Sequence, residues 1–469
     1  MRKLKLSVLF ALLCVCTAFG QQAKYVFFFI GDGMGINQVQ GTELYLGEQA
    51  GKIGTTPLLF SQFPYISVAT TYSATNGVTD SAAAGTALAT GHKTQNGAIG
   101  VLPDLTTPVT SVAVWAQKAG SKVGIATSVS VDHATPAAFY AHEGSRGSAY
   151  AIGEDLISTG FDFYAGSDFL SPEAPDGKGN LYAAAKKSGY SIARGYQDYL
   201  KKAPASKKMI LLQTEEASRK DNTAIPYAID RKEGDLTLCE ITRSAIDFLN
   251  KGNDGKGFFL MVEGGKIDWA CHANDAATTF QEVIDFDNAI KIAYEFYKQH
   301  PDETLILVTA DHETGGLALG NGPYQLNLKA LENQKVSLSG FTAVMNQYRQ
   351  EKRNISWEEV KKALEDNFGF WKSVKLTEEQ EEQLKEVYEE NCKNTVEMSA
   401  SAYQTDDPIG VAACEIINEI ALVDWASDGH SASYAPVYAI GAGAEAFQSR
   451  MDNTEIPVKI AKIAGYTVE

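Results

Sequence analysis

Residues 25–33, YVFFFIGDG, carry the clearest sign of the fold: six apolar residues, Tyr25–Ile30, lead directly into Gly31-Asp32-Gly33. A strand that is apolar at every position is typical of a parallel sheet covered on both faces. Asp32 would then lie at the carboxyl end of that strand, the edge where open α/β sheets bind ligands. We therefore expect an α/β protein with a functional site beside Asp32.

Similar apolar runs occur along the rest of the chain, at 123–127, 258–262, 305–309 and 436–440. All of them have the pattern of parallel strands. Helical stretches separate them, and between 279 and 297 apolar residues recur every three or four positions. This alternation predicts a doubly wound α/β/α three-layer sandwich with a large, mostly parallel central sheet.

The first residues, 1–20, are predicted to be a signal peptide rather than part of the fold. A basic head is followed by an apolar stretch, residues 6–19, that is too short to span a bilayer comfortably. Small residues at Ala18 and Gly20 place the cleavage after Gly20. Because no later stretch has the length and apolarity of a membrane helix, we expect an exported protein, periplasmic or secreted.

With 469 residues, the chain has room for two or three domains or for one large α/β core with insertions. We predict a core over residues 21–325, which includes a variable cap or connecting region at about 145–235. A mainly helical insertion would follow at 325–425. Residues 426–469 would then return to the core with its last strand.

The charge balance excludes some classes of partner. The chain has 58 acidic against 41 basic residues and a net charge of −17. Such a surface does not provide the positive field that binds nucleic acid or an anionic membrane. The acidity fits instead a soluble protein, or one that concentrates carboxylates to hold metal ions.

Four cysteines remain after the predicted cleavage: Cys239, Cys271, Cys392 and Cys414. They are widely spaced and contain no CxxC pair, which disfavours a zinc site built from thiolates. Export permits disulfides, but the sequence does not pair four thiols. Buried free cysteines and one or two bridges both stay open.

Residues that can bind metals follow four of the predicted strands. They are Asp32, His133 with Thr135, Glu263 with Asp268 and His272, and Asp311 with His312. A single Asp at a strand end is usually a cap or a turn residue. Burying this many unpaired carboxylates at one sheet edge, however, is too costly unless cations neutralise them. His430, in a Gly/Ser loop before the last strand, could complete an imidazole-rich site.

The types of ligand indicate which metals to expect. Asp268 and His272 are four residues apart, so they share one face of a helix. Mixed carboxylate and imidazole ligands suit zinc, whereas an oxygen set such as Asp32, Thr135 and Glu263 suits magnesium.

A nucleophile is available at Ser81, at the start of an Ala-rich helix that stops near Gly91. One interpretation is an ordinary helix cap. The other is a serine whose alkoxide and phosphorylated form are stabilised by the helix N-terminus and a nearby cation. The GxSxG elbow of α/β-hydrolases is absent.

The chain resembles the alkaline phosphatases in six segments that occur in the order of that family. They are FFFIGDGMG at 27–35, TDSAAAGTALATG at 79–91, HATPAAFYAHEGSR at 133–146, VEGGKIDWACHAND at 262–275, TADHE at 309–313 and DGHS at 428–431. The resemblance implies a phosphomonoesterase that releases inorganic phosphate from small phosphate monoesters through a phosphoserine at Ser81. Many relatives are homodimers, and the sequence leaves the oligomeric state open.

The resemblance also implies two Zn²⁺ ions and one Mg²⁺ ion, each with its own ligands. The first zinc would be bound by Asp268, His272 and His430; the second by Asp32, Asp311 and His312; and the magnesium by Asp32, Thr135 and Glu263. Arg146 would clamp two phosphoryl oxygens, and Asp80 would hold its guanidinium.

Three positions depart from part of the family. Some members have Asp in place of His133 and Lys in place of Trp269, which bears on the third metal's identity and on phosphate affinity. Thr314 stands where relatives often have another His, so the support of the second zinc differs.

Two other functions stay open. One is a phosphodiesterase of the same superfamily, which often uses a Thr nucleophile and lacks a counterpart of Arg146. The other is a non-catalytic exported protein that binds phosphate or metal without turnover.

Overall fold

The structure, a computed structural model, describes residues 22–252, 255–351, 354–392 and 406–469. The predicted signal peptide and its cleavage site lie outside these residues. Within them, no helix combines the length and hydropathy needed to cross a bilayer.

The described residues form strands and helices in alternation. The strands are β1 Tyr25–Gly31, β2 Tyr65–Thr70, β3 Lys122–Thr127, β4 Phe163–Gly166, β5 Tyr190–Arg194, β6 Lys208–Leu212, β7 Phe258–Gly264, β8 Thr304–Thr309, β9 Glu313–Thr314, β10 Ala318–Leu319, β11 Val423–Asp424, β12 His430–Ser431, β13 Ala435–Gly441 and β14 Met451–Asp452. The α-helices are α1 Ile36–Gln49, α2 Ser81–Thr90, α3 Val112–Lys118, α4 Ala134–Ala137, α5 Ala149–Thr159, α6 Leu181–Lys187, α7 Tyr196–Lys202, α8 Glu215–Lys220, α9 Leu238–Asn250, α10 Lys266–His272, α11 Ala276–Gln299, α12 Leu338–Glu351, α13 Trp357–Phe368, α14 Glu378–Asn391, α15 Pro408–Ala421 and α16 Glu455–Ala464.

One large sheet organises the molecule. In the described part of the chain it has ten strands in the order β14-β2-β13-β8-β1-β7-β3-β4-β6-β5. Strand β1 lies at its centre, parallel to β7 on one side and to β8 on the other. The predicted α/β class with a mostly parallel sheet is confirmed, and the carboxyl ends of β1, β3, β7 and β8 meet at one edge.

Strand β1 is apolar throughout because helices cover both of its faces. Phe28 and Ile30 pack into one apolar core, while Phe27 and Phe29 pack into the core on the opposite face. Successive side chains of a strand point to opposite faces, so every position of β1 is buried. The predicted helical stretch 279–297 lies within α11 and contributes to the second of these cores.

The direction of the last long strand differs from the one predicted from the sequence. The run 436–440 was expected to be parallel, but β13 is antiparallel to β8 and to β2. The loop that carries His430 ends at the functional edge of the sheet. A strand that starts from this edge must run away from it, opposite in direction to β8.

The region 145–235, predicted as a variable cap or connection, contains β4, β5 and β6. These strands are parallel and extend the sheet beyond β3. The region is therefore part of the sheet as well as a connection.

Helices α12 to α15 make up most of the described part of residues 325–425. Their apolar faces form a third cluster that includes Phe341, Leu364 and Ile417, and Phe280 of α11 joins it. The cluster is tied to the core by Asp275, whose Oδ2 accepts a hydrogen bond from the backbone N–H of Leu338 at 2.9 Å. The boundaries of this segment as a separate insertion stay a prediction.

The four cysteines of the described residues, Cys239, Cys271, Cys392 and Cys414, form no disulfide with one another. Cys271, Cys392 and Cys414 are buried, and Cys239 is partly buried. Burial raises the pKa of the Cys239 thiol to about 11, so this thiol is a poor nucleophile and a poor metal ligand at neutral pH.

Candidate active site and metal centre

Three overlapping groups of acidic and imidazole side chains lie at the carboxyl edge of the sheet. Their potential ligand atoms lie within 4.8 Å of one another in each group. The groups are Asp268 with His312 and His430, Asp32 with Asp311 and His312, and Asp32 with His133 and Glu263. Among the described residues, the structure thus brings together side chains that are far apart in sequence but follow neighbouring strands.

His272 lies beside the first group, on the same helix α10 that carries Asp268. Asp268 and His272 lie one turn apart on α10, with His272 Nε2 3.3 Å from Asp268 Oδ2. His430 Nε2 lies 3.6 Å from Asp268 Oδ1 and 3.2 Å from His272 Nε2. The three predicted ligands of the first zinc therefore surround one point.

The second group surrounds His312. Its Nε2 lies 3.3 Å from Asp32 Oδ1 and 3.3 Å from Asp311 Oδ2. The imidazole also stacks on that of His430, with ring centroids 3.7 Å apart. His312 therefore links the second group to the first.

The third group includes His133 in addition to the predicted oxygen ligands. Asp32 is shared with the second group, and Thr127 donates a hydrogen bond to Glu263. Thr135 is fully buried at the start of the short helix α4. Trp269 meets the His133 ring edge-on at 5.9 Å, where it shields one side of this group.

A glycine permits the close approach of β1 to α10. Gly33 has a φ of +70°, and a Cβ at this position would lie 2.8 Å from the Cα of Asp268. Its backbone N–H donates to Asp311 Oδ1 at 3.2 Å. A larger residue would push the first and second groups apart.

Several buried oxygen atoms of these groups accept no hydrogen bond from the described residues. They are Asp32 Oδ1, Asp32 Oδ2, Asp311 Oδ2 and Glu263 Oε1. A buried carboxylate without a partner is costly, and a bound cation removes that cost. Oxygen and imidazole donors in this arrangement fit zinc in the first two groups, and the oxygen-rich third group fits magnesium.

Burial sets the charge of the metal-free groups. Burial and the neighbouring Asp311 raise the pKa of Asp32 well above its usual value, and burial likewise raises that of Asp311. Burial lowers the pKa of His133 to about 3 and that of His312 well below its usual range. These imidazoles are therefore neutral, as metal ligands must be.

Asp268 and His272 behave differently because they form an ion pair. Burial acts to raise the pKa of Asp268, but the hydrogen bond and charge of His272 outweigh it and lower that pKa. For His272, burial acts to lower the pKa, and Asp268 overcomes it to raise the value to about 9. Metal binding here would have to displace a proton from His272.

Ser81 is the first residue of helix α2 and is buried. Its Oγ lies 3.3 Å from His312 Nε2, next to the second group. The helix cap is Asp80, whose Oδ1 accepts a hydrogen bond from the N–H of Ala83 at 3.0 Å. Ser81 is therefore not needed as a cap, and its hydroxyl faces the cluster at a helix N-terminus that favours negative charge.

Arg146 lies beside the same cluster, in contact with Asp80 and His133. Its Nη1 donates to Asp80 Oδ2 at 3.0 Å, and its Nη2 lies 3.3 Å from His133 Nε2. Asp80 thus both caps the serine helix and orients the arginine. This places a guanidinium beside Ser81 and the third group, where it could bind an anion.

The sequence singles out Thr314 as a departure from the family, but neither its contacts nor that of the Thr79 carbonyl was predicted. The Oγ1 of Thr314 donates to Asp268 Oδ1 at 2.5 Å and lies 3.3 Å from His312 Nδ1. His430 Nδ1 lies 2.8 Å from the carbonyl oxygen of Thr79. Thr127 could have been identified from the sequence, because it is a polar residue at the end of β3 and so at the same sheet edge. A backbone carbonyl such as that of Thr79 gives no signal in the sequence.

Comparison with known proteins shows one consistent relationship. A family model described as alkaline phosphatase matches residues 23–157 and 167–466. Alkaline phosphatase 3 of Bacillus subtilis (strain 168) is 31% identical over 96% of this chain and 90% of its own length.

Solved structures show the same relationship to alkaline phosphatases. The structure of a cold-active alkaline phosphatase from a psychrophilic Shewanella species has a TM-score of 0.79 and 29% identity, over 94% of this chain and 99% of that one. A mutant of the alkaline phosphatase from TAB5, with Mg bound in its M3 site, has a TM-score of 0.64 and 27% identity, over 96% of this chain and 99% of its own. TAB5 is an Antarctic bacterium.

The buried Glu263 predicts how the stability of the metal-free protein depends on pH. Burial raises its folded-state pKa from 4.5 to about 7, so between these values the folded protein holds a proton that the unfolded chain has lost. The free energy of unfolding should therefore fall as pH rises through this window. Glu263→Gln should remove on the order of 3 kcal/mol of that fall.

Urea denaturation of the protein in EDTA at several pH values measures this effect. The exposed Glu386→Gln is the matched control and should keep the parent's pH dependence. An unchanged slope in Glu263→Gln would show that Glu263 is not held protonated in the metal-free fold.

Proposed function

The chain belongs to the alkaline phosphatase family, and on that basis we propose that it hydrolyses phosphate monoesters through a phosphoserine at Ser81. The observation that carries this proposal is the position of Ser81 Oγ, 3.3 Å from His312 Nε2. A helix-initiating serine next to buried carboxylates with unpaired oxygens is what a metal-assisted nucleophile requires.

We propose two zinc ions and one magnesium ion as the cofactors. Asp268, His272 and His430 would hold one zinc ion, and Asp32, Asp311 and His312 the other. Asp32, Thr135 and Glu263 would hold magnesium, with His133 beside them. When bound, such ions supply Lewis-acid stabilisation and make hydroxyl groups and water more acidic.

The proposal of magnesium at the third site rests on the oxygen ligands Asp32, Thr135 and Glu263. The TAB5 mutant with Mg in its M3 site carries glutamate in place of a histidine, whereas in this chain His133 belongs to the third group. That structure therefore shows magnesium beside a different set of side chains.

The protein's own residues account for the positioning of the reaction. Ser81 Oγ would form a bond to phosphorus while the bond from phosphorus to the leaving alcohol breaks. The N-terminus of α2 stabilises the negative charge on the phosphorylated serine. Water then displaces Ser81 Oγ and releases inorganic phosphate.

Arg146 is proposed to bind the phosphoryl group. Its guanidinium is held by Asp80 Oδ2 at 3.0 Å, so its orientation is set before the substrate arrives. A bidentate arginine matches two non-bridging phosphoryl oxygens. With three bound dications, this guanidinium makes the pocket positive inside a chain of net charge −17 and so able to accept an anionic substrate.

We propose that the protein is exported, on the strength of the basic and apolar residues of 1–20. Its partners would be small phosphate monoesters and phosphate. The acidic composition disfavours nucleic acid as a partner.

Trapping the covalent intermediate tests the proposed mechanism. Protein loaded with zinc and magnesium, mixed with ³²P-phosphate and quenched in acid, should retain label on Ser81. Ser81→Ala should lose this label and most of the hydrolysis, because no other residue supplies the attacking oxygen. Ser73 is another buried serine before the same helix, so Ser73→Ala should keep both the label and the hydrolysis.

Label on a different residue would contradict the assignment of Ser81. Tight phosphate binding without turnover in the parent protein would instead favour the non-catalytic binding protein.

Substrate preference tests the proposed role of Arg146. A diester replaces one charged phosphoryl oxygen with an uncharged alkoxy group, so the arginine should favour monoesters. Losing one such charged contact costs about 2–4 kcal/mol, on the order of 10²–10³ in rate. Arg146→Ser should therefore lower kcat/KM for 4-nitrophenyl phosphate far more than for bis-4-nitrophenyl phosphate.

The exposed Arg219→Ser serves as the control and should leave the ratio of the two rates unchanged. Equal losses on both substrates in Arg146→Ser would refute the assigned role and favour a phosphodiesterase.

A further inference from the structure

Two exposed tyrosines lie at the functional edge of the sheet and take no part in the site described above. Tyr72 is 48% exposed and Tyr434 is 45% exposed. We call Tyr72, Tyr434 and the cations that contact them, Lys93 and Arg450, the aromatic patch. Exposed aromatic rings beside an active site are candidates for binding the part of a substrate that does not react.

The sheet places the patch beside the metal groups. Ala69 of β2 pairs with Ala435 of β13, and β13 pairs with β8. Tyr72 follows β2 and Tyr434 precedes β13, so both extend from the edge to which β8 delivers Asp311 and His312. The pairing register puts Thr309 of β8 level with Val437 of β13 and Ser67 of β2. Tyr434 therefore lies one strand, and Tyr72 two strands, to the side of β8, with Tyr72 further out from the sheet edge than Asp311.

The two segments that bear the tyrosines also bear the reacting groups. Residues 71–81 lead from Tyr72 to Ser81, and residues 430–434 lead from His430 to Tyr434. They are joined where Thr71 Oγ1 donates to the Ser433 carbonyl at 3.5 Å. They meet again where His430 Nδ1 lies 2.8 Å from the Thr79 carbonyl oxygen. The patch is thus connected directly to the site.

A cation supports each ring. Lys93 Nζ lies 3.8 Å from the centroid of the Tyr72 ring and donates to the carbonyl oxygen of Tyr72 at 2.7 Å and to Asn453 Oδ1 at 2.6 Å. These bonds hold the ammonium group under the ring. One side of Tyr72 is therefore fixed by Lys93, while much of the residue stays open to solvent.

Tyr434 is held in a similar way. The Arg450 guanidinium lies 5.5 Å from its ring centroid, and Arg450 Nε donates to its Oη at 3.3 Å. Lys93 is itself paired with an acid, since its Nζ lies 3.3 Å from Asp452 Oδ1. Each ring is thus held in place by a cation before a ligand binds, which lowers the entropy lost on binding.

We propose that Tyr72 and Tyr434 form a subsite for a flat aromatic group on the leaving alcohol, such as the base of a nucleoside monophosphate. Every nucleobase has a π-face, and stacking on an aromatic side chain does not depend on base identity. The inference rests on the proposed phosphomonoesterase function and adds a substrate class to it.

A pair of substrates with the same reacting group isolates the subsite. Adenosine 5′-monophosphate and ribose 5-phosphate both release a primary ribose hydroxyl, so only the base distinguishes them. The parent protein, loaded with zinc and magnesium, should have a higher kcat/KM for adenosine monophosphate. In Tyr72→Ser/Tyr434→Ser the ratio of the two kcat/KM values should fall about tenfold, as expected for losing base stacking.

Three controls make the ratio interpretable. Tyr324→Ser removes another fully exposed tyrosine and should keep the parent's ratio. Tyr72→Phe/Tyr434→Phe keeps the rings and should retain most of the preference. Benzyl phosphate and cyclohexylmethyl phosphate differ in whether the ring of the leaving group is flat. A higher kcat/KM for benzyl phosphate would show that any aromatic ring suffices, and equal values would show that the subsite is selective for a base.

Two outcomes would overturn the proposal. One is an unchanged ratio in the Ser double variant at normal metal content. The other is a change in oligomeric state in that variant, measured by light scattering, because the tyrosines would then be part of an interface between copies. Failure of the parent protein to hydrolyse ribose 5-phosphate at all would instead refute the proposed function itself.

Discussion

The burial of carboxylate oxygens that accept no hydrogen bond is the constraint on which the rest of the structure depends. Both oxygens of Asp32, together with Asp311 Oδ2 and Glu263 Oε1, accept no hydrogen bond within the described residues. A buried carboxylate costs several kcal/mol when it is charged and unpaired. A fold that keeps such groups must offset this cost, and the proposed cations would offset it and would also help to activate Ser81.

The fold brings these groups together. Four neighbouring strands, β8, β1, β7 and β3, end at one edge of the sheet, and each delivers part of the cluster. Gly33 lets β1 approach α10, and Asp80 joins the serine helix to Arg146 through hydrogen bonds at 3.0 Å from each of its oxygens. The stability of the sheet and the geometry of the centre therefore arise from the same contacts.

Much of this arrangement could be predicted from the sequence. Asp32, Glu263 and Asp311 stand at the ends of apolar runs, and a parallel sheet puts such ends side by side. The direction of β13 could not be predicted, because an apolar run looks the same in parallel and antiparallel strands. Strand β5 is partly exposed and lacks the continuous apolar run by which the central strands were found.

The contacts that support the cluster were harder to predict for a different reason. Thr314 reaches Asp268, 46 positions away, and the Thr79 carbonyl meets His430, 351 positions away. Thr79 begins the segment 79–91 and Thr314 follows the segment 309–313, but neither contact could be predicted, because each depends on how distant segments pack.

Anomalous scattering from crystals grown with zinc and magnesium tests the central claim most directly. The account predicts one zinc peak among Asp268, His272 and His430 and another among Asp32, Asp311 and His312, with a non-anomalous ion beside Glu263. Crystals that diffract well but show no zinc peak at these side chains, or zinc at surface sites alone, would contradict it.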